Sequence, residues 1–152
     1  MPSSDSIVPT DIKTHFDLQP LNTLGCPALA EYFCAVTTLP QLQRALAWAH
    51  AQDLPVHLLG GGSNVLCAPF ITGLTLAPAF RGRSLLKQDD EYAWVELAAG
   101  ENWHEAVLWC HQQGWFGLEN LALIPGTAGA APIQNIGAYG VELADLLDEV
   151  VC

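Results

Sequence analysis

Over residues 114–140 the chain shows neither a helical nor a strand period. That stretch nevertheless holds six of the thirteen glycines (Gly114, Gly117, Gly126, Gly129, Gly137, Gly140), together with Pro125 and Pro132. A connection of this length inside a compact domain is functional or disordered. Leu118, Leu121, Leu123, Ile124, Ile133 and Ile136 make it apolar, so disorder is the weaker option. An ordered, apolar, glycine-rich segment implies main chain lying close against something large and flat or phosphorylated, because small residues allow that approach. Within it Gln134 and Asn135 offer paired donors and acceptors of the kind that read an imide edge, such as a flavin's. Tyr139 can stack or hydrogen-bond. Taken singly, each of these residues has an ordinary turn or core role; the run from Ile124 to Gly140 is specific as a whole.

A second glycine cluster lies upstream. After Pro55 comes a short apolar strand, Val56-His57-Leu58-Leu59, which runs into Gly60-Gly61-Gly62-Ser63-Asn64 and then Val65-Leu66. The cluster is not a Walker A loop, since no Gly-Lys-Ser/Thr follows. Nor is it a dinucleotide fingerprint, since Val65 stands where the third glycine belongs. Alone, it is as readily a tight turn as a phosphate cradle. Two such loops on separate segments favour a dinucleotide cradled between two lobes, its phosphates held by main-chain N–H groups.

Main-chain donors matter here because cations are scarce. The formal net charge is −11. Residues 1–87 balance Lys13, Arg44, Arg81, Arg83 and Lys87 against five acids, while residues 88–152 carry eleven acids and no Lys or Arg. Such a surface repels phosphate backbones and anionic lipid, so neither nucleic acid nor a membrane surface is an expected partner. Hydrophobic residues make up 51% and charged residues 14%, which argues for a folded chain with a real core. No apolar run approaches the ~20 residues of a membrane span. Residues 1–15 lack the basic stretch and apolar run of an ordinary signal peptide. The five cysteines have no CxxC spacing and read as reduced thiols in a cytoplasmic protein, with no zinc site.

The organisation reads as α+β without internal repeats. Residues 1–16 are expected to form a flexible tail. Thr38 and Gln41 have capping-box spacing with Pro40 in the first turn, and Leu42, Ala45, Leu46 and Ala49 then form one apolar stripe. A second helix is expected from about Asn102, presenting Trp103, Ala106, Val107 and Cys110 and ending at Gly114. Leu74-Thr75-Leu76 and residues 92–98 read as strands, joined by a basic and then acidic connection over residues 81–91. A weak boundary near residue 70 separates a first lobe, 17–70, from a second, 71–152. Glu149-Val150-Val151-Cys152 reads as a strand just begun, so the sequence is expected to be a fragment.

Residues 118–140, with the core Pro132-Ile133-Gln134-Asn135-Ile136-Gly137-Ala138-Tyr139-Gly140, closely resemble the flavin-binding region of the UDP-N-acetylenolpyruvoylglucosamine reductase (UDP-N-acetylmuramate dehydrogenase) family. The resemblance extends to Asn22-Thr23-Leu24-Gly25, to residues 59–66 and to Ala99-Gly100-Glu101-Asn102-Trp103-His104, in matching order over residues 17–152. It implies a bacterial, cytoplasmic enzyme of peptidoglycan synthesis. FAD, held non-covalently, and NADPH as hydride donor would reduce the enolpyruvyl ether of a UDP-sugar, UDP-N-acetylglucosamine enolpyruvate, to UDP-N-acetylmuramate. The implied fold is the FAD-binding PCMH type (vanillyl-alcohol-oxidase-like), two small α/β lobes with FAD between them. By motif, Gly60, Gly61, Gly62, Ser63, Asn64, Val65 and Leu66 would hold the diphosphate and adenosine portion. Ile124, Pro125, Gly126, Thr127, Gly129, Ala130 and Ala131 would line the flavin and its ribityl chain, together with Gln134, Asn135, Ile136, Gly137, Ala138, Tyr139 and Gly140. Asn22 and Thr23 would sit near the cofactor. The family's catalytic serine, arginine and glutamate and its substrate domain fall downstream of Cys152, so no catalytic residue is assigned.

Other residues carry less. His104 and His111, at i and i+7, lack the spacing of a metal pair. Asp89-Asp90-Glu91 reads as a solvated connection, and Glu142, Asp145, Asp148 and Glu149 lack the pattern of a calcium loop. The tryptophans read as core or lobe-contact residues and His57 as a structural histidine. Two alternatives stand beside the reductase: another FAD oxidoreductase of the same superfamily, and a non-catalytic flavin-binding module.

Overall fold

Thr38 and Asn102 both start helices. In the computed structural model, which describes residues 8–152, helix α1 covers Leu39–Ala51, and the Thr38 hydroxyl accepts from the Gln41 N–H at 3.4 Å. The returning half of the box closes one residue early: Gln41 Oε1 accepts from the Thr37 N–H at 2.9 Å. Helix α2 covers Trp103–Gln112, with Asn102 Oδ1 accepting from the Glu105 N–H at 3.0 Å. It is closed by Gly114 at φ +81°, the left-handed C′ conformation.

The chain divides after Pro78 into two units. In the first, strands β1 (Lys13–Asp17), β2 (Leu29–Val36), β3 (Val56–Leu58) and β4 (Phe70–Pro78) form one sheet in the order β1-β2-β4-β3. β1 runs antiparallel to β2, whereas β4 is parallel to both β2 and β3. Tyr32 and Cys34 pair with Leu74 and Leu76, and α1 covers that face. Gln41 Nε2 reaches Cys34 Sγ, and Trp48 meets the Tyr32 ring edge-on at 4.9 Å between centroids. The other face packs Phe33, Ala30 and Ala28 with Leu18 and Leu59. Phe16 stacks on Phe33 at 4.1 Å, worth about 1 kcal/mol beyond its buried area.

Two expectations are corrected here. The tail expected over residues 1–16 ends earlier, because residues 13–16 belong to β1 and are held by pairing with β2; residues 1–7, the first part of that tail and of the signal-peptide reading, lie outside the described residues. The boundary expected at residue 70 falls instead after Pro78. Phe70–Pro78 is one strand paired along its length with β2, so the sheet cannot be cut there.

In the second unit, β5 (Arg83–Gln88) and β6 (Ala93–Leu97) form an antiparallel hairpin. The stretch read as a connection is thus largely a strand. Asp89 makes its turn, its Oδ1 accepting from the N–H groups of Glu91 and Tyr92 at 2.9 and 2.7 Å. Those two bonds hold its carboxyl below the ordinary range. Helix α2 packs Trp103 and Val107 against Leu121, Ala131, Ile136 and Leu143, so the aperiodic stretch supplies half of this core. A small hairpin, β7 (Gly137–Ala138) and β8 (Val141–Glu142), closes the unit. The strand expected over residues 149–152 does not form; those residues have no ladder partner among the described residues. All five cysteines are free. Cys34 and Cys110 are buried, and burial pushes both thiols up. No helix among the described residues is long and apolar enough to cross a membrane.

Candidate functional site

The first glycine cluster sits at the carboxyl end of β3, where an open parallel sheet places its ligand loops. Leu59 is buried, and its N–H donates to Leu76 O at 2.8 Å, so the chain leaves the sheet at a fixed point. Gly62 then turns at φ +66° against the preceding loop, where a Cβ would lie 1.9 Å from Leu21 O. Thr23 clamps it from that loop, donating to Gly62 O from its N–H at 3.0 Å and from Oγ1 at 3.3 Å. Asn22 is buried and organises the same loop. Its Nδ2 donates to Leu18 O and Cys26 O, each at 3.0 Å, while Oδ1 accepts from the Cys26 N–H at 3.0 Å. Asn22 therefore shapes the loop that Gly62 packs against.

The N–H groups of Gly60, Gly61 and Gly62 donate to no protein group among the described residues. Three consecutive amides left open after a strand are the donor set of an anion nest. Val65 and Leu66 leave the loop exposed, adding apolar surface beside it.

The second run is built on the turn before α2. Gly100 packs against Ala79 and Phe80, where a Cβ would come within 2.7 Å of main chain. Glu101 is buried and accepts from the Gly82 N–H at 2.9 Å and from Arg83 Nε at 2.5 Å. The Gly82 amide first, and then Arg83, hold its carboxyl below the usual range against the opposing effect of burial. Arg83 also donates from Nη1 to Glu105 O at 2.8 Å, so this turn is locked from both sides. Residues 126–129 are laid along it: the Trp103 N–H donates to Gly126 O, the Ala128 N–H to Glu101 O and the Gly129 N–H to Ala99 O, at 3.1, 2.9 and 2.9 Å. A Cβ on Gly129 would lie 2.7 Å from that of Ala99. The N–H groups of Ala130 and Ala131 both reach Thr127 O at 3.1 Å.

Downstream the run turns repeatedly through strained backbone. Asn135, at φ +43°, ends a 3-10 turn over Pro132–Gln134 that leaves Ile133 exposed. Its side chain braces the segment, Nδ2 donating to Glu142 Oε2 at 2.8 Å and Oδ1 accepting from the Ala144 N–H at 2.9 Å. One Nδ2 proton and one Oδ1 lone pair remain beyond those two bonds. Tyr139 and Gly140 close the β7–β8 hairpin, both with positive φ (55° and 82°), as a type I′ turn requires. Tyrosine is an unusual first residue for that turn, and its side chain is 90% exposed. Leu123 (φ +63°) joins Asn135 and Tyr139 as a left-handed non-glycine residue in this stretch, and such strain concentrates at ligand sites. A cavity of about 520 Å³ beside the hairpin is lined by Asn135, Gly137, Gly140, Glu142 and Asp145 among others. Ala131 and Ile136, expected at the cofactor, are core residues, and Ile124 packs against that core.

Residues 30–152 match the FAD binding domain family. The chain belongs to that family. Among curated relatives, a UDP-N-acetylenolpyruvoylglucosamine reductase of Alcanivorax borkumensis is 49% identical over 150 residues, 97% of this chain and 43% of the relative. One of Paraburkholderia phymatum is 53% identical over 130 residues, 86% of this chain and 38% of the relative. The chain thus spans about two-fifths of the length of the curated relatives it matches. The crystal structure of the Thermus caldophilus reductase of that name superposes with a TM-score of 0.64 at 28% identity, covering 88% of this chain and 45% of that one.

The donor set fits what an FAD-binding domain must hold. A diphosphate needs directed donors, and the open amides of residues 60–62 supply them without a cation. A flavin needs apolar surface beside glycine-rich main chain, which the exposed Ile133 and Tyr139 and the left-handed turn at Gly126 offer. The domain binds FAD, and its fold is the α+β PCMH type. Sequence reasoning missed the lock of Glu101 and Arg83 beneath this surface. Its only signal was the Ala99-Gly100-Glu101-Asn102-Trp103-His104 motif, where a lone acid next to a helix cap had no visible partner.

Proposed function

We propose that this chain is the FAD-binding part of an NADPH-dependent reductase that converts UDP-N-acetylglucosamine enolpyruvate to UDP-N-acetylmuramate in cytoplasmic peptidoglycan synthesis. The observation that carries this reading is the 49% identity, along nearly the whole chain, to a relative named for that reduction. When bound, FAD supplies hydride transfer from NADPH to the enolpyruvyl carbon skeleton. This chain's residues bind and orient it. Residues 60–66 hold the diphosphate and adenosine end through main-chain amides, with Asn22 and Thr23 fixing that loop. Residues 124–131 and 134–140 line the flavin and its ribityl chain, in part by main chain and in part as the packed layer beneath it. We assign no catalytic residue to the chain, and its small-molecule partners are NADPH and the UDP-sugar. The acidic balance of residues 88–152 supports excluding nucleic acid.

Reconstitution with FAD followed by gel filtration tests the reading. The chain is expected to elute with a flavin absorption band at near-equimolar ratio and to release intact FAD on denaturation. Elution without flavin, from a chain that melts cooperatively, sinks the assignment.

A further inference from the structure

Leu123 departs from local preference twice. It holds a left-handed conformation that branched L-residues avoid, and it leaves its side chain 77% exposed. What keeps it there comes from the first turn of α2. With Asn102 capping that helix, Trp103 and His104 stand at fixed places. The buried Trp103 indole donates from Nε1 to Leu121 O at 2.7 Å, and its N–H donates to Gly126 O at 3.1 Å. Between those two ties, His104 Nδ1 accepts from the Leu123 N–H at 3.2 Å. Two adjacent residues thus grip three points of the strand of chain that enters the glycine run. The middle bond also fixes the imidazole. A main-chain N–H can only donate, so the bond is made by the tautomer with a lone pair on Nδ1 and its proton on Nε2.

We propose that His104 is a positioning residue for the flavin: its Nδ1 holds Leu123 in the left-handed turn, which sets how residues 124–131 approach the ring. The proposal rests on the reading that this segment lines the flavin. His104 touches no reacting group; it acts through Leu123.

The test titrates FAD into the full chain and into His104→Leu, His104→Asn and the double variant His104→Leu/Leu123→Gly, following flavin fluorescence and visible circular dichroism. Asparagine places an acceptor oxygen near the position of Nδ1, and glycine turns left-handed without a tie. His104→Leu is expected to bind FAD about fivefold more weakly, the loss of one hydrogen bond, with an altered flavin spectrum. His104→Asn is expected to stay within about twofold of the parent, and the double variant to recover the parent spectrum. Unchanged affinity and spectrum in His104→Leu overturn the proposal while leaving FAD binding intact. So does His104→Asn as weak as His104→Leu, or a double variant without recovery. A parent chain that binds no FAD overturns the underlying reading and the proposal with it. If His104→Leu does not fold, the ¹⁵N shifts of His104 in the parent decide: a proton on Nε2 supports the proposal and a proton on Nδ1 overturns it.

Discussion

Gly62 and Gly25 share a left-handed backbone, φ +66° and +62°, but not their surroundings. A Cβ on Gly25 meets nothing within 4 Å, whereas one on Gly62 falls 1.9 Å from Leu21 O. Gly25→Ala is therefore expected to cost only the conformational penalty, about 1–2 kcal/mol. Gly62→Ala adds a collision between two main chains that Thr23 ties together, so it is expected to cost more than about 3 kcal/mol and to lose FAD. Urea unfolding of both variants checks this, and equal losses would refute the cradle. Sequence reading reached the glycines because residue type alone constrains backbone. It could not reach the direction of an amide side chain. Asn22 was expected near the cofactor and Asn135 along the flavin, and the structure adds that each braces its own loop, through Leu18 O and Cys26 O in one case and Glu142 and Ala144 in the other. Asparagine makes both kinds of contact, and only its neighbours in space decide which.

The helices were legible because a cap and an apolar stripe are local signals, and Thr38, Asn102 and Gly114 all act where expected. The β5 strand was not. Its residues read as a charged connection because Arg83 and Lys87 dominate the pattern, and their partners are distant in sequence or aromatic: Glu101 for one, the Trp94 ring at 3.9 Å for the other. The β7–β8 hairpin was hidden in turn by Tyr139, where asparagine or glycine would have announced a I′ turn. The Arg83–Glu101 contact joins β5 to the turn that carries residues 126–129, so its loss should loosen both. Glu101→Gln is expected to destabilise the second unit by about 1–3 kcal/mol at neutral pH. The sign with pH follows from the depressed carboxyl. A group whose folded pKa is lowered adds stability above its unfolded value, about 4.3 for glutamate, and loses it as pH falls through the folded value. The gap between parent and Glu101→Gln should therefore be full at pH 6 and shrink below pH 4. Denaturant midpoints at pH 6 and pH 3 measure it, and a gap that widens in acid would contradict the pairing.

Charge is distributed differently once the chain is divided where it folds. Up to Pro78, Lys13 and Arg44 face five acids, leaving −3. From Ala79 onward, Arg81, Arg83 and Lys87 face eleven acids, leaving −8. Two of those three cations are already engaged, Arg83 by Glu101 and Lys87 by the Trp94 ring. An acidic domain that binds an anionic dinucleotide cannot depend on ion pairing for its affinity. It must rely on oriented amides and on apolar contact with the ring, and long-range repulsion then opposes binding. Added salt screens that repulsion over a Debye length of about 10 Å at 0.1 M and leaves short amide contacts nearly untouched. FAD affinity is therefore expected to hold constant or rise by up to about threefold between 20 and 300 mM NaCl. Cation-held phosphates behave oppositely, because each released counterion weakens binding as salt increases. A titration across that range separates the two. A tenfold fall in affinity would mean that side-chain cations grip the diphosphate and that the open amides of residues 60–62 do not.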